Sequence, residues 1–124
     1  MKAEDLMIGD WVLVKELYFS NLTNVISEYQ HQIRLKDFAE MYNAGEYKKY
    51  EPIPLTTEIL EKNGFYNSVL IDDYKITDGV HYNIDSKQIL FGFEYGTVLE
   101  IDCCYVHELQ HALKLCKIKK EIVL

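Results

Sequence analysis

The sequence predicts an α+β domain in which a mostly antiparallel, curved sheet carries a short middle helix and a C-terminal helix. Val80 to Ile84 and Gln88 to Phe93 alternate apolar and polar side chains with the period of a half-buried strand. After Tyr105 the spacing changes, and Val106, Leu109, Ala112, Leu113 and Cys116 recur at helical spacing. Between Leu55 and Phe65 stand the cap, the apolar pair and the glycine stop of a short helix. A chain of 124 residues has the size of one ordinary core, so residues 1–124 are read as a single domain.

Taken in order, Gly9-Asp10 makes a turn ahead of Trp11-Val12-Leu13-Val14, a run of strong β propensity. Val25 to Tyr29 and Gln32 to Leu35 fit further strands. Lys36 to Tyr42 fits a short helix or a widened loop, with Phe38 and Met41 on one face. Glu51 and Ile53 each precede a proline and are pushed out of the helical region, so Tyr47 to Leu55 is extended in part. In the middle helix, at 56–63, Thr56 is the cap and Leu55 and Leu60 stand at the staple positions. Gly64 supplies the left-handed stop and Phe65 folds back over the last turn. Two turns of helix have little stability alone, so Ile59, Leu60 and Phe65 must pack on the sheet.

Antiparallel strands then follow at Asn67 to Tyr74, Val80 to Ile84, Gln88 to Glu94 and Thr97 to Cys103, with turns at Asp85-Ser86-Lys87 and Tyr95-Gly96. Val80, Tyr82 and Ile84 share one face, leaving His81 and Asn83 on the other. The terminal helix covers 105–116. The N-terminal strand is expected to close the sheet toward a partial small barrel. The expected core is Trp11, Val12, Ile33, Leu60, Phe65, Leu70, Ile89, Phe91, Leu99, Val106, Leu109 and Leu113.

The formal charge of −7 keeps a small domain soluble and repels polyphosphate. Lys48-Lys49 and Lys117 with Lys119-Lys120 are flanked by Glu and form no concentrated stripe, so nucleic acid is not an expected partner. No apolar run approaches membrane-spanning length, and Gly9-Asp10 interrupts any signal-peptide core, so no membrane partner and a cytoplasmic location are expected. Cys103, Cys104 and Cys116 are odd in number and two are adjacent, a poor disulfide framework that suits reduced thiols. The ten tyrosines suit either a sheet with half-wet faces or a binding surface.

His107-Glu108-Leu109-Gln110-His111 spells the helix motif of zinc peptidases. Two histidines four apart lie on one helical face and can bind one zinc ion, while the glutamate activates its bound water. A catalytic site also needs a third protein ligand and an open position. Lys114 and Lys117 stand three and six residues past His111, and Glu121 is the only downstream carboxylate. The upstream candidates are His31, His81 and Asp102. On a helical wheel His107 and His111 fall beside Lys114, opposite the apolar stripe, on the face that a small domain gives to water. The expectation is therefore a solvent-exposed pair, no metal or other cofactor and no catalytic residue. Two alternatives stay open. One is a zinc-dependent hydrolase with His107 and His111 as ligands and Glu108 as general base. The other is a structural zinc site of Cys104, His107 and His111, completed by His81 or Cys103. Otherwise Cys103 or Cys104 reads as a small buried hydrophobe at a strand–helix junction.

Two further constellations are weaker. Asp72-Asp73, Asp78 and Asp85 fit paired carboxylates, but hairpin ends collect Asp for turn geometry alone. Trp11 with Tyr18 and Phe19 fits an aromatic patch, although at strand spacing Trp usually enters the core.

Three blocks, Leu6-Met7-Ile8-Gly9-Asp10-Trp11-Val12, Pro52-Ile53-Pro54-Leu55-Thr56-Thr57-Glu58-Ile59-Leu60 with Asn63-Gly64-Phe65, and Tyr105-Val106-His107-Glu108-Leu109-Gln110-His111, together span nearly the full chain. In this order they resemble a family of small uncharacterised proteins encoded in Bacteroidetes genomes. In similar chains the last block often has Gln at the Glu108 position and Asn at the His111 position. The resemblance thus implies that Tyr105, Val106, Leu109 and Gln110 form a packing motif. It carries no substrate or partner. With no complete catalytic constellation and no anion site, the chain is expected to be a non-catalytic, small acidic protein that acts through protein–protein contacts, with another protein or by self-association.

Overall fold

The structure is a computed structural model, in which residues 5–19, 24–43, 48–67, 73–77, 79–92 and 99–124 are described. It is an α+β fold with antiparallel sheets, in two compact units, Met1–Ile53 and Pro54–Leu124.

The first unit comprises β1 (Trp11–Phe19), β2 (Asn24–Gln32), α1 (Leu35–Asn43) and β3 (Lys48–Pro52), with the antiparallel sheet ordered β2-β1-β3. Its entry is fixed by the turn at Gly9, whose φ of 95° favours glycine. Gly9 N–H donates to the Ile33 carbonyl, Ile33 N–H to the Asp10 carbonyl, and the Asp10 carboxylate accepts Met7 N–H at 2.7 Å. Side chains alternate along β1. Val12 and Val14 are buried with Leu6, Ile33 and Tyr50, against which Phe38 and Met41 of α1 pack. Trp11, expected in the core, is only partly buried. It neighbours Val12, so the period of two turns it to the face that carries Leu13 and Lys15. On that face Lys15 lies between Glu28 of β2 and Glu51 of β3, at 3.6 and 3.0 Å.

Gln32 to Leu35 is not a strand of its own. Gln32 ends β2 and Leu35 opens α1. The competing signal is Asp37, whose carboxylate turns back to accept Arg34 N–H at 2.6 Å and so satisfies a backbone donor at the helix start.

The second unit comprises α2 (Thr57–Lys62), β4 (Tyr66–Asn67), β5 (Asp73–Thr77), β6 (Val80–Asn83), β7 (Gln88–Phe91), β8 (Leu99–Asp102) and α3 (Val106–Leu115). The strands form one antiparallel sheet ordered β4-β5-β6-β7-β8. The stretch Asn67 to Tyr74, expected as one strand, contains the ends of two, since Tyr66 and Asn67 pair with Lys75 and Tyr74. The expected partial barrel is not formed: β1 pairs with β2 and β3, and neither sheet closes.

Helix α2 has the expected ends. The Thr56 hydroxyl accepts Ile59 N–H at 3.3 Å. At the other end Gly64, with φ of 80°, lets its own N–H reach the Glu61 carbonyl and Phe65 N–H reach the Leu60 carbonyl. Leu55, Leu60 and Phe65 are all buried. Asn63, the C-cap of α2, holds the C-terminal segment: its amide donates to the Val123 carbonyl and accepts Val123 N–H, both at 2.8 Å, beside buried Ile122.

In the sheet, Tyr82 and Ile89 are fully buried on one face, but His81 and Leu90 are buried on the other, so β6 and β7 are covered on both sides. The expected polar face of β6 is thus corrected, and Ile84 lies in the turn rather than the strand. That turn is organised by Asn83, whose side-chain oxygen accepts Asp85 and Ser86 N–H at 3.0 and 2.9 Å. Of the expected core, Phe91 is only partly buried and Leu99 is 61% exposed. Leu70 lies outside the described residues.

Candidate functional site

The chain's most unusual surface is β8, the strand that ends the five-stranded sheet. All four of its residues, Leu99-Glu100-Ile101-Asp102, are exposed. Ile101 lies opposite buried Ile89 and Leu99 opposite Phe91, so the apolar face of the sheet continues onto β8 and is uncovered there.

The backbone of β8 can be followed residue by residue. Cys103 N–H donates to the Lys87 carbonyl across the β7–β8 pair, at 2.8 Å. In an antiparallel pair, hydrogen-bonded residues recur every second position. Leu99, Ile101 and Cys103 therefore direct their backbone groups toward β7, while Glu100, Asp102 and Cys104 direct theirs outward. The outward groups of Cys104 are both taken: its carbonyl accepts Leu55 N–H at 3.0 Å and its N–H donates to the Glu108 carboxylate at 3.0 Å. Pro54 bridges Tyr105 at the same point. The chain then turns into α2, so this cover stops short of Asp102. Among the described residues, nothing pairs with the outward backbone groups of Glu100 and Asp102.

Helix α3 begins where the cover ends, and its first two turns contain the peptidase-like string. Glu108, the third helical residue, turns back and accepts Tyr105 N–H at 3.2 Å as well as Cys104 N–H. This is the carboxylate arm of a capping box, and it points the glutamate at the helix start. His107 is buried at 7% exposure, not open to water as the helical wheel implied. The wheel treats the face opposite the apolar stripe as wet, but here the N-cap residue folds across it. The Tyr105 ring stacks on His107 with centroids 5.9 Å apart and planes at 11°. One turn on, half-buried His111 meets the His107 ring edge-on at 5.6 Å. The expected exposed pair is thus a small aromatic stack. Val106, Leu109 and Leu113 form the buried stripe as expected.

The remaining ligand candidates are spread over both units. Cys104 is half-buried ahead of the helix and Cys103 is buried. Burial, with the Glu108 carboxylate and Cys104 nearby, pushes the Cys103 thiol up to about 12. Burial likewise raises the Tyr82 phenol, which donates to the Cys103 carbonyl at 2.8 Å. Asp102 accepts a hydrogen bond from the Gln88 amide at 3.2 Å. His81 sits on β6 opposite Lys75 and Leu90. His31, in the first unit, is 2.9 Å from the Asp37 carboxylate. Burial works to raise that carboxylate, but the hydrogen bonds from His31 and Arg34 N–H outweigh it, and Asp37 is held below its ordinary range. Among the described residues, no three His, Cys, Asp or Glu side chains gather around one metal position.

The aspartates do not form a pair that can be described. Asp85 lies exposed in the β6–β7 turn, Asp72 and Asp78 lie outside the described residues, and so does the side chain of Asp73. The same holds for the side chains of Tyr18 and Phe19 in the expected aromatic patch. A shallow concavity of about 680 Å³ is lined by Lys114, Lys117, Ile118, Lys119, Lys120 and Glu121. Its lysines are exposed surface groups, and Lys120 is placed over the Phe65 ring at 5.2 Å. Among the described residues, no helix is long and apolar enough to cross a membrane.

The open β8 edge was missed by sequence reasoning, which placed Leu99 in the core. The available signal was the charge on its alternate positions, Glu100 and Asp102, a pattern found on exposed edges. No family model, curated protein or solved structure matches the chain.

Proposed function

We propose that this is a non-catalytic protein that acts by binding another protein along the outer edge of β8. The observation that carries the reading is the open stretch at Glu100 and Asp102, flanked by the uncovered apolar side chains of Leu99 and Ile101. An exposed edge offers backbone donors and acceptors to an incoming strand, and natural edges of this kind are normally covered, shortened or charged. Glu108 supports the non-catalytic part. Its carboxylate serves the cap of α3, whereas a general base must face bound water.

The test is affinity capture from lysate with the wild-type protein and with a Leu99→Lys/Ile101→Lys variant, quantified by mass spectrometry. A stoichiometric partner that the variant loses is expected. Substrate turnover by the purified protein, or equal capture by both forms, would overturn the reading.

A further inference from the structure

We infer that the occupant of the β8 edge is an extended peptide segment in which basic and apolar residues alternate. The inference rests on the binding role proposed above and adds the chemistry of the partner. A strand added to β8 must use the outward groups of Glu100 and Asp102, because those of Cys104 are taken by Leu55 and Glu108. That fixes the register. On one face the incoming residues lie beside Glu100 and Asp102, and on the other beside Leu99 and Ile101. Directly opposed side chains on paired strands interact, with opposite charges favourable and like charges unfavourable. Lysine or arginine therefore suits the first face and an aliphatic residue the second.

The same arithmetic disfavours a second copy of this chain. Antiparallel self-pairing centred on Ile101 sets Glu100 against Asp102 twice, and pairing centred on Glu100 or Asp102 sets like residue against like. The net charge of −7 adds long-range repulsion between copies and attracts a basic segment.

The test is fluorescence anisotropy with three labelled hexapeptides: alternating Lys-Val, alternating Glu-Val, and the same three Lys and three Val in two blocks. The alternating Lys-Val peptide should bind saturably, and the other two at least about tenfold more weakly. Glu100→Pro removes one outward N–H while the β7-facing bonds of Leu99 and Ile101 stay, so it should weaken binding about tenfold with little change in melting temperature. Should that variant fail to fold, Glu100→Lys/Asp102→Lys serves instead, and it should prefer the Glu-Val peptide. Equal binding of the alternating and block peptides would overturn the inference, because charge alone then explains the affinity. Sedimentation of the wild type as a dimer that Glu100→Pro dissolves would overturn it in favour of self-pairing. If no peptide binds while the Leu99→Lys/Ile101→Lys variant still loses a captured partner, the partner chemistry is wrong and the binding role stands. If both fail, both readings fall.

Discussion

Glu108 is bonded at the start of α3, and the two readings of its motif ask different things of that carboxylate. In a peptidase the glutamate of the string addresses metal-bound water, whereas here it closes the start of α3 by accepting Tyr105 and Cys104 N–H. The two roles respond differently to substitution. Glu108→Ala should destabilise the fold by about 1–2 kcal/mol, since two backbone donors lose their acceptor. Glu108→Gln should stay within about 0.5 kcal/mol of wild type, because the amide oxygen still accepts. Urea denaturation of both variants checks this, and equal losses would mean that the carboxylate's charge, not the cap, is what matters. The buried His107 belongs to the same lesson. Its position on the wheel is set by sequence, but the wheel does not show the ring of the N-cap residue stacked upon it.

Helices α2 and α3 end in the same way with different residues. Each has a residue of positive φ just past the C-cap and a following N–H bonded back into the last turn, Phe65 to Leu60 and Ile118 to Leu113. In α2 that residue is Gly64, and a Cβ there would meet only the Lys120 amine at an ordinary 3.7 Å. Gly64→Ala should therefore cost about 1 kcal/mol from backbone strain alone. In α3 the residue is Lys117, at φ of 58°. Lys117→Gly should raise stability by about 0.5 kcal/mol, less than the full relief because the unfolded chain also gains freedom. Thermal melts of the pair should shift in opposite directions, and a shift of both downward would refute the common geometry. The α2 end was legible because glycine announces its conformation. The left-handed residue of α3 was not, because lysine does not, although the helix end at Cys116 was legible from the apolar spacing. Strand faces divided along the same line. Ile89 was legible from alternation, but Leu99 was not, since an apolar residue reads alike in a central strand and at an uncovered edge. His31 and Asp37, six apart and joined across the end of β2, follow no local period and left no signal.

At the scale of the whole molecule, the proposed binding feature is a backbone edge rather than a cluster of reactive side chains. The antiparallel sheet of the second unit is closed at Cys104 by Leu55 and Glu108 and, among the described residues, left open at Glu100 and Asp102. This predicts an alternating pattern in amide exchange, because protection follows the hydrogen bond that each N–H makes. The most direct measurement is residue-resolved hydrogen–deuterium exchange by NMR, on the protein alone and with the alternating Lys-Val peptide. The amides of Ile101, Cys103 and Cys104 should be protected and those of Glu100 and Asp102 should exchange fast, then slow selectively when the peptide is added. Protection of Glu100 and Asp102 equal to that of Ile101 in the protein alone, or saturating peptide that leaves both unchanged, would contradict it.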